Sequence, residues 1–244
     1  MHHFFVGKVA IEKSSIQIGG SEAHHMIHVL RMQIGEKCTV SDGVENSYLC
    51  KVEDVSEKEV TLSILESFMN TNELPCDIYL FQGLPKVDKM EWVVQKAVEL
   101  GVHSIIPVAM QNCVVKLTGV KGQKKVDRWQ EIARSAAKQS KRTVIPTVQD
   151  VLPFSMALEY AKGMDVILLP YEEAEDMRHT RKVISSLKKG QTIGVFIGPE
   201  GGFSKSEIGA SKECAKVITL GKRILRTETA GLAVLSILGY QLEQ

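Results

Sequence analysis

The chain has 244 residues, 44% of them hydrophobic and 24% charged, with 30 Lys and Arg against 29 Asp and Glu for a formal charge of +1. That composition suits an ordinary globular protein of two modest domains or one large one. It excludes a membrane-spanning chain, since no stretch approaches the roughly 18 uninterrupted apolar residues a span needs, and Met1 to Lys8 lacks a signal-peptide layout, so a cytoplasmic protein is expected.

Cys38, Cys50, Cys76, Cys113 and Cys214 form no Cys-x-x-Cys pair, which argues against a disulfide framework and a thiolate zinc site. The near-neutral total hides an asymmetry. Residues 1–72 hold six basic against ten acidic residues, a net of −4, while residues 73–244 hold 24 against 19, a net of +5. Between Lys116 and Arg142 nine basic residues meet only Asp127 and Glu131, a local +7 that suits a polyanion, the plainer reading being a solvated loop and helix face.

The first 70 residues read as short strands: Phe4 to Ile11, Lys37 to Ser41, Ser47 to Val55 and Glu59 to Phe68, with Asp42-Gly43 as a turn. Between the first two, Ser21 to Met32 starts on a good N-cap and has helical spacing, so one helix packed on a small barrel is expected. Residues 70–75 read as a linker. Strands and helices then alternate: a strand at Cys76 to Gln82, an amphipathic helix at Lys86 to Leu100 with Val87, Met90, Val94 and Ala97 on one face, a strand at His103 to Ala109, and a helix at Lys125 to Ser140 with Trp129, Ile132, Ala133 and Ala136 inward. Strands follow at Val144 to Val148, Asp165 to Leu169, Thr192 to Gly198 and Lys216 to Leu220, and Thr229 to Leu242 closes as an apolar helix. Such alternation predicts a mainly parallel sheet covered on both faces.

Two glycine-containing loops stand out, and together they can form one nucleotide-sized pocket. Gly198-Pro199-Glu200-Gly201-Gly202 follows a buried-strand run and precedes Ser204-Lys205-Ser206-Glu207, a capping box. It matches neither the dinucleotide nor the P-loop spacing, and by itself could be mere strand-to-helix geometry. Leu220 to Ala230 adds Arg223, Arg226 and Glu228 to apolar Leu220, Ile224 and Leu225, as a small aromatic ligand requires; an internal Arg–Glu pair at a helix start is the alternative. His24 and His28 lie four apart, yet no acid or thiolate stands at a ligand-like spacing, so no metal is expected, and an RNA contact with Arg31 or plain packing fits better.

Phe81-Gln82-Gly83-Leu84-Pro85-Lys86, Asp88-Lys89-Met90-Glu91-Trp92, Gln95-Lys96 and Glu99-Leu100-Gly101, with the two glycine loops, resemble the RsmE family almost end to end. These are ribosomal RNA small subunit methyltransferases of the SPOUT superfamily. The resemblance implies an α/β protein: a PUA-like RNA-binding β-barrel over residues 1–72, then a SPOUT methyltransferase domain over residues 73–244 with a deep trefoil knot in about 165–244. Chain-topology rules argue against knots, so only the resemblance carries that expectation. It further implies a homodimer that uses S-adenosyl-L-methionine to methylate N3 of a specific uridine in 16S rRNA.

Cofactor contacts are expected from Leu169, Gly198, Glu200, Gly201, Gly202, Leu220, Gly221, Ile224, Leu225 and Thr229, with the loop near Leu169 to Glu172 as a third wall. Arg226 is the candidate to stabilise negative charge on a uracil carbonyl oxygen, and Glu228 to orient or accept the N3 proton. His28, Arg31, Lys116, Arg134, Lys141 and Arg142 are the candidate RNA contacts. A Leu at Gly201 is expected to intrude on the cofactor. The family often has Arg at Asn112, Glu at Lys138 and Pro at Gly231, departures that leave the cofactor loops intact. Two other readings are a non-catalytic RNA-binding ribosome-assembly factor of the same fold and a small-molecule enzyme, the latter leaving the +7 segment and the barrel without a purpose.

Overall fold

The structure is a computed structural model describing residues 1–7, 14–44, 46–69, 72–86, 89–174 and 176–243. The chain divides into two compact units, residues 1–73 with 137–145, and residues 74–136 with 146–244.

In the first unit β1 (His3–Phe5), β2 (Ser15–Ile18), β3 (Lys37–Ser41), β4 (Asn46–Val55) and β5 (Val60–Met69) form one sheet in the order β1-β3-β4-β5-β2. All neighbours are antiparallel except β1 with β3. Register shifts at Leu49/Cys50 and Val52/Asp54 mark irregularities of the kind that bend a sheet. No pairing joins β1 to β2 among the described residues, so the sheet is a half-barrel rather than a closed barrel. Alternation places Cys38, Val40, Cys50, Val52, Val60 and Leu62 in one core with Phe4, Ile16 and Met26. The expected first strand runs on to Ile11, but residues 8–13 lie outside the described residues, and β2 was missed.

The expected helix after β2 is divided: α1 (Gly20–His24) passes into a π-helical turn at His25–Val29, and Arg31 follows at φ +52, an uncommon angle for a residue with a Cβ. Residues 137–145 complete this unit's core edge through ion pairs. Lys138 Nζ lies 2.7 Å from Glu22 Oε2 and 4.7 Å from the Phe4 ring centroid. Arg142, 4% exposed, donates from Nε to Glu73 Oε2 at 3.0 Å, while the Thr143 amide donates to Glu73 Oε1 at 2.9 Å.

The second unit holds β6 (Asp77–Gly83), α2 (Lys89–Glu99), β7 (Ser104–Ala109), most of α3 (Gly119–Gln139), β8 (Thr147–Val148), β9 (Leu152–Pro153), α4 (Phe154–Ala161), β10 (Val166–Pro170), α5 (Met177–Ser185), β11 (Thr192–Ile197), α6 (Lys205–Ser211), β12 (Lys216–Ile218) and α7 (Thr227–Leu242). Its sheet runs β12-β10-β11-β6-β7-β8, with β9 also on β7, and every pairing is parallel, as the alternating pattern required. Leu168 and Leu169 of β10 and Val195 and Phe196 of β11 are fully buried, which is why these strands read as unbroken apolar runs. The crossover helices α4 and α5 were not foreseen, and α3 begins six residues earlier than expected. Val87, assigned to the inner face of α2, lies outside the described residues.

Burial alone would raise the Glu73 carboxyl pKa, but the hydrogen-bonded Arg142 guanidinium, its charge and the Val144 and Thr143 amides outweigh it and hold the group below 4.5. A folded pKa below the unfolded one contributes stability that is present above the unfolded value and lost as pH falls through the folded value. Glu73→Gln is therefore expected to lower stability at pH 7 by about 3 kcal/mol, because it takes the carboxylate away from a buried guanidinium, and to flatten the acid limb below about pH 4.5, read by denaturant unfolding against pH. An unchanged acid limb would remove this pair from the account.

Candidate functional site

At the carboxyl ends of the parallel strands, where open α/β sheets bind ligands, three segments close on one cavity of about 350 Å³. Pro170 ends β10 and Tyr171 and Glu172 follow it; Gly198, Pro199, Glu200, Gly202 and Phe203 follow β11; Thr219 to Thr227 and Ala230 follow β12 and begin α7. Ile197, Leu220, Ile224 and Leu225 give it apolar walls, and Lys89, Glu172, Glu200, Arg223 and Arg226 an ionic rim.

Local sequence explains the shape of the loops. Gly202 and Gly221 sit at φ +65 and +106, angles costly for any residue with a Cβ, so the chain turns back at both points. Ser204 then starts α6 as the foreseen capping box: its hydroxyl accepts from the Glu207 amide, and the Glu207 carboxylate accepts from the Ser204 amide at 2.8 Å. Asn112 Nδ2 donates to the Gly201 and Gly202 carbonyls at 3.0 and 3.2 Å, and the Gln111 amide to Glu207 at 2.9 Å, so residues 111–112 clamp the loop from outside.

A buried hydrogen-bond relay fixes the floor. Gln82 Nε2, at the end of β6, donates to Thr227 Oγ1 at 2.9 Å, and Thr227 Oγ1 donates to the Gly198 carbonyl at 2.6 Å. At the rim Lys89 Nζ lies 3.2 Å from both Glu200 Oε1 and Glu228 Oε2. The hydrogen bonds that Lys89 donates to Glu228 and Glu200 raise its pKa. Burial pushes the Glu200 carboxyl up, but the Lys86 amide, its own amide and Lys89 bring it below the ordinary value, so the pair stays ionised at neutral pH.

Of the residues expected at the cofactor, Gly198, Glu200, Gly202, Leu220, Gly221, Ile224 and Leu225 line this cavity, as does Arg226. Three do not. Leu169 is fully buried in the core with Phe81 and Phe196, one residue short of the lining segment. Gly201 faces away: a Cβ there would meet Asn112 Cβ at 2.9 Å, so Gly201→Leu would displace the clamp rather than fill the cavity. Thr229 is exposed on the first turn of α7, its amide bonded to the Arg226 carbonyl. Glu228 also lies outside the lining and reaches the rim only through Lys89. Lys89 and Thr227 carry no expected role, although Lys89 stands within a motif of the resemblance.

Part of the basic segment is committed. Arg128 forms a two-pronged pair with Glu91 at 2.6 and 2.8 Å, with Lys125 3.9 Å from the same carboxylate; Lys138 and Arg142 serve Glu22 and Glu73. Arg142, expected on RNA, is thus a buried structural cation, and the local +7 overstates what faces solvent. Lys116, Lys121, Lys124, Arg134 and Lys141 are exposed, Arg134 lying 3.9 Å from Glu131. In the first unit His28 and Arg31 border a shallow concavity with Ile27, Met32, Gln33, Ile34 and Val55.

Residues 72–239 match the RNA methyltransferase domain family, and residues 18–65 its RNA methyltransferase PUA domain. The Ribosomal RNA small subunit methyltransferase E of Bacillus subtilis is 39% identical over 252 residues, covering 100% of this chain and 98% of that protein. The chain belongs to the RsmE family. A Neisseria gonorrhoeae RsmE structure bound to S-adenosyl methionine has a TM-score of 0.82 at 29% identity, covering 97% of this chain and 95% of that one. A Legionella pneumophila methyltransferase in complex with the same cofactor also scores 0.82, at 30% identity over 97% and 96% of the two chains. The fold is accordingly a PUA-like unit with an α/β methyltransferase unit of the SPOUT kind. Asn112, read from the sequence as a departure from the family pattern, has a structural task here as the clamp.

Thr227→Val keeps the shape but removes both hydroxyl bonds, leaving Gln82 Nε2 with only the Gly83 carbonyl. It should cost about 2 kcal/mol in thermal or denaturant unfolding, while Thr227→Ser should cost far less. Equal losses in the two variants would show that the hydroxyl does not matter.

Proposed function

We propose that this chain transfers a methyl group from S-adenosyl-L-methionine to N3 of a specific uridine in 16S rRNA. The observation that carries the reading is the convergence of residues 170–172, 198–203 and 219–227 on one cavity of nucleoside size with apolar walls and an ionic rim. The bent loops at Gly202 and Gly221, and the carboxylates of Glu172 and Glu200 beside the opening, fit a cofactor that is apolar and planar at one end and cationic at the other. When bound, that cofactor supplies a methyl group on a sulfonium.

The chain's own part is positioning, worth several kcal/mol when reacting atoms are held in line. Leu220, Ile224 and Leu225 would hold the adenine and exclude water, and Glu200, kept ionised by the Lys86 backbone amide and the Lys89 ammonium, would face the cationic end. Arg226 at the rim would stabilise negative charge on a uracil carbonyl oxygen as N3 loses its proton. Glu228, positioned by Lys89, would orient the base or take that proton. N3 lies on the Watson–Crick edge, so the target base must be unpaired or flipped.

Residues 1–72 are proposed as the RNA-binding PUA-like part, with His28 and Arg31 on its concavity, and residues 73–244 as the methyltransferase part, apart from residues 137–145, which pack with the first unit; Lys116, Arg134 and Lys141 are proposed on phosphates. A deep trefoil knot over about 165–244 is supported by α7 returning after β12 to pack on β6 and β11, with Gly231 against Leu80 and Ile197. A homodimer is supported by exposed apolar groups on the packed pair α2 and α7: Trp92 at 44%, Ile237 at 41% and Tyr240 at 76%. A cytoplasmic location is supported by a ribosomal RNA substrate; among the described residues no helix is long and apolar enough to cross a membrane. A non-catalytic assembly factor would leave the open cavity without a purpose.

Calorimetry with S-adenosylmethionine and methylation of transcribed small-subunit RNA test the reading together. Arg226→Gln should lower kcat by about 100-fold while changing cofactor Kd by less than about threefold. Unchanged kcat would remove Arg226 from the chemistry, and no heat from the unaltered protein at any cofactor concentration would favour the assembly factor.

A further inference from the structure

The outer face of α5 has no task in the site described above. The helix buries Thr180, Val183 and Ile184 and exposes Arg178, His179, Arg181 and Lys182. Residues 177–189 contain five Lys and Arg and no Asp or Glu. Arg178 even occupies the first turn, where the helix dipole disfavours a cation. Among the described residues none of the five forms an ion pair with a carboxylate, in contrast to Arg128, Lys138 and Arg142. Of the described acids nearby, Asp176 caps the helix by accepting from the Arg178 and His179 amides, Glu173 accepts from the Tyr171 hydroxyl, and Glu172 Oε1 lies toward Gly202 on the cavity side.

This face is continuous with the cavity mouth. Residues 170–172 line the cavity and precede α5; the Thr219 amide, just after the adjacent strand β12, donates to Thr180 Oγ1 at 2.9 Å. The Met177 methyl lies 3.8 Å from where a Cβ on Gly221 would stand. Arg181 follows about 6 Å further along the axis. The rim adds Lys222 and Arg223, both exposed. A strip of cations thus runs from the opening along the helix.

Resting on the RNA methyltransferase reading, we infer that Arg178, Arg181 and Lys182 bind backbone phosphates of the RNA strand flanking the base presented to the cavity. Extruding a base costs a few kcal/mol of stacking and pairing, and phosphate contacts beside the opening offset that cost. Such contacts carry no sequence information, so they hold the strand while the cavity selects the base.

The test is binding of unmodified transcribed small-subunit ribosomal RNA to Arg178→Gln/Arg181→Gln/Lys182→Gln across a salt series, with S-adenosylmethionine calorimetry as a check on the fold. Expected are a loss of RNA affinity of about tenfold or more, a slope of log K against log salt flatter by about 2, and unchanged cofactor affinity. Lys182→Glu alone should weaken RNA binding in the same direction, should the triple variant fold poorly. Wild-type RNA affinity and slope in variants that still bind cofactor would overturn the inference alone. Retained RNA affinity with activity lost only on assembled subunits would overturn it in favour of a protein-docking face. An unaltered protein with no RNA affinity would defeat the parent reading as well.

Discussion

One hydroxyl group joins the parts of the catalytic unit that must not move apart. Thr227 Oγ1 accepts from Gln82, 145 positions earlier, and donates to the Gly198 carbonyl, 29 positions earlier. Strand β6, the glycine loop after β11 and the first turn of α7 are thereby held in one place. Both Gln82 and Thr227 are buried, so water does not compete for these bonds, and breaking either leaves a polar group in apolar surroundings. Arg226 and Glu228 flank this threonine, so the groups proposed for proton and charge management take their positions from it.

Around that anchor the site divides its labour by polarity. The sheet contributes buried apolar strands whose ends stop at the cavity, and the loops contribute main-chain turns and the ionic rim. Lys89 bridges a carboxylate of each glycine-containing loop, Glu200 and Glu228, so the two loops share one cation. Asn112 and Gln111 hold the first loop from its outer side. The cavity is thus built from main-chain geometry fixed by side chains that mostly do not line it.

What could be read from sequence was local. The parallel strands were legible because both faces are buried and the apolar run is unbroken, and the capping box at Ser204 and Glu207 because its partners are three residues apart. The glycine loops marked the cavity for the same reason. Long-range pairings were not legible. Arg142 read as a phosphate ligand because Glu73 stands 69 positions away, and Lys89 had no reading because its carboxylates lie 111 and 139 positions on. Gly201 and Leu169 are expected at the cofactor from the resemblance, which marks whole loops, yet one residue decides which side of a loop or strand a group faces. Helix α5 went unread because its inward stripe is only Thr180, Val183 and Ile184, too short for periodicity to register.

In the proposed reading the N-terminal unit and the methyltransferase unit answer separate physical demands, gripping a folded RNA and aligning one ring nitrogen with a methyl donor. The claim that unites them is that a single uridine of small-subunit ribosomal RNA is the acceptor. Mass mapping of that RNA from cells with and without this protein tests it most directly. The account predicts that one N3-methyluridine disappears and that restoring the protein returns it; an unchanged modification map would contradict the account.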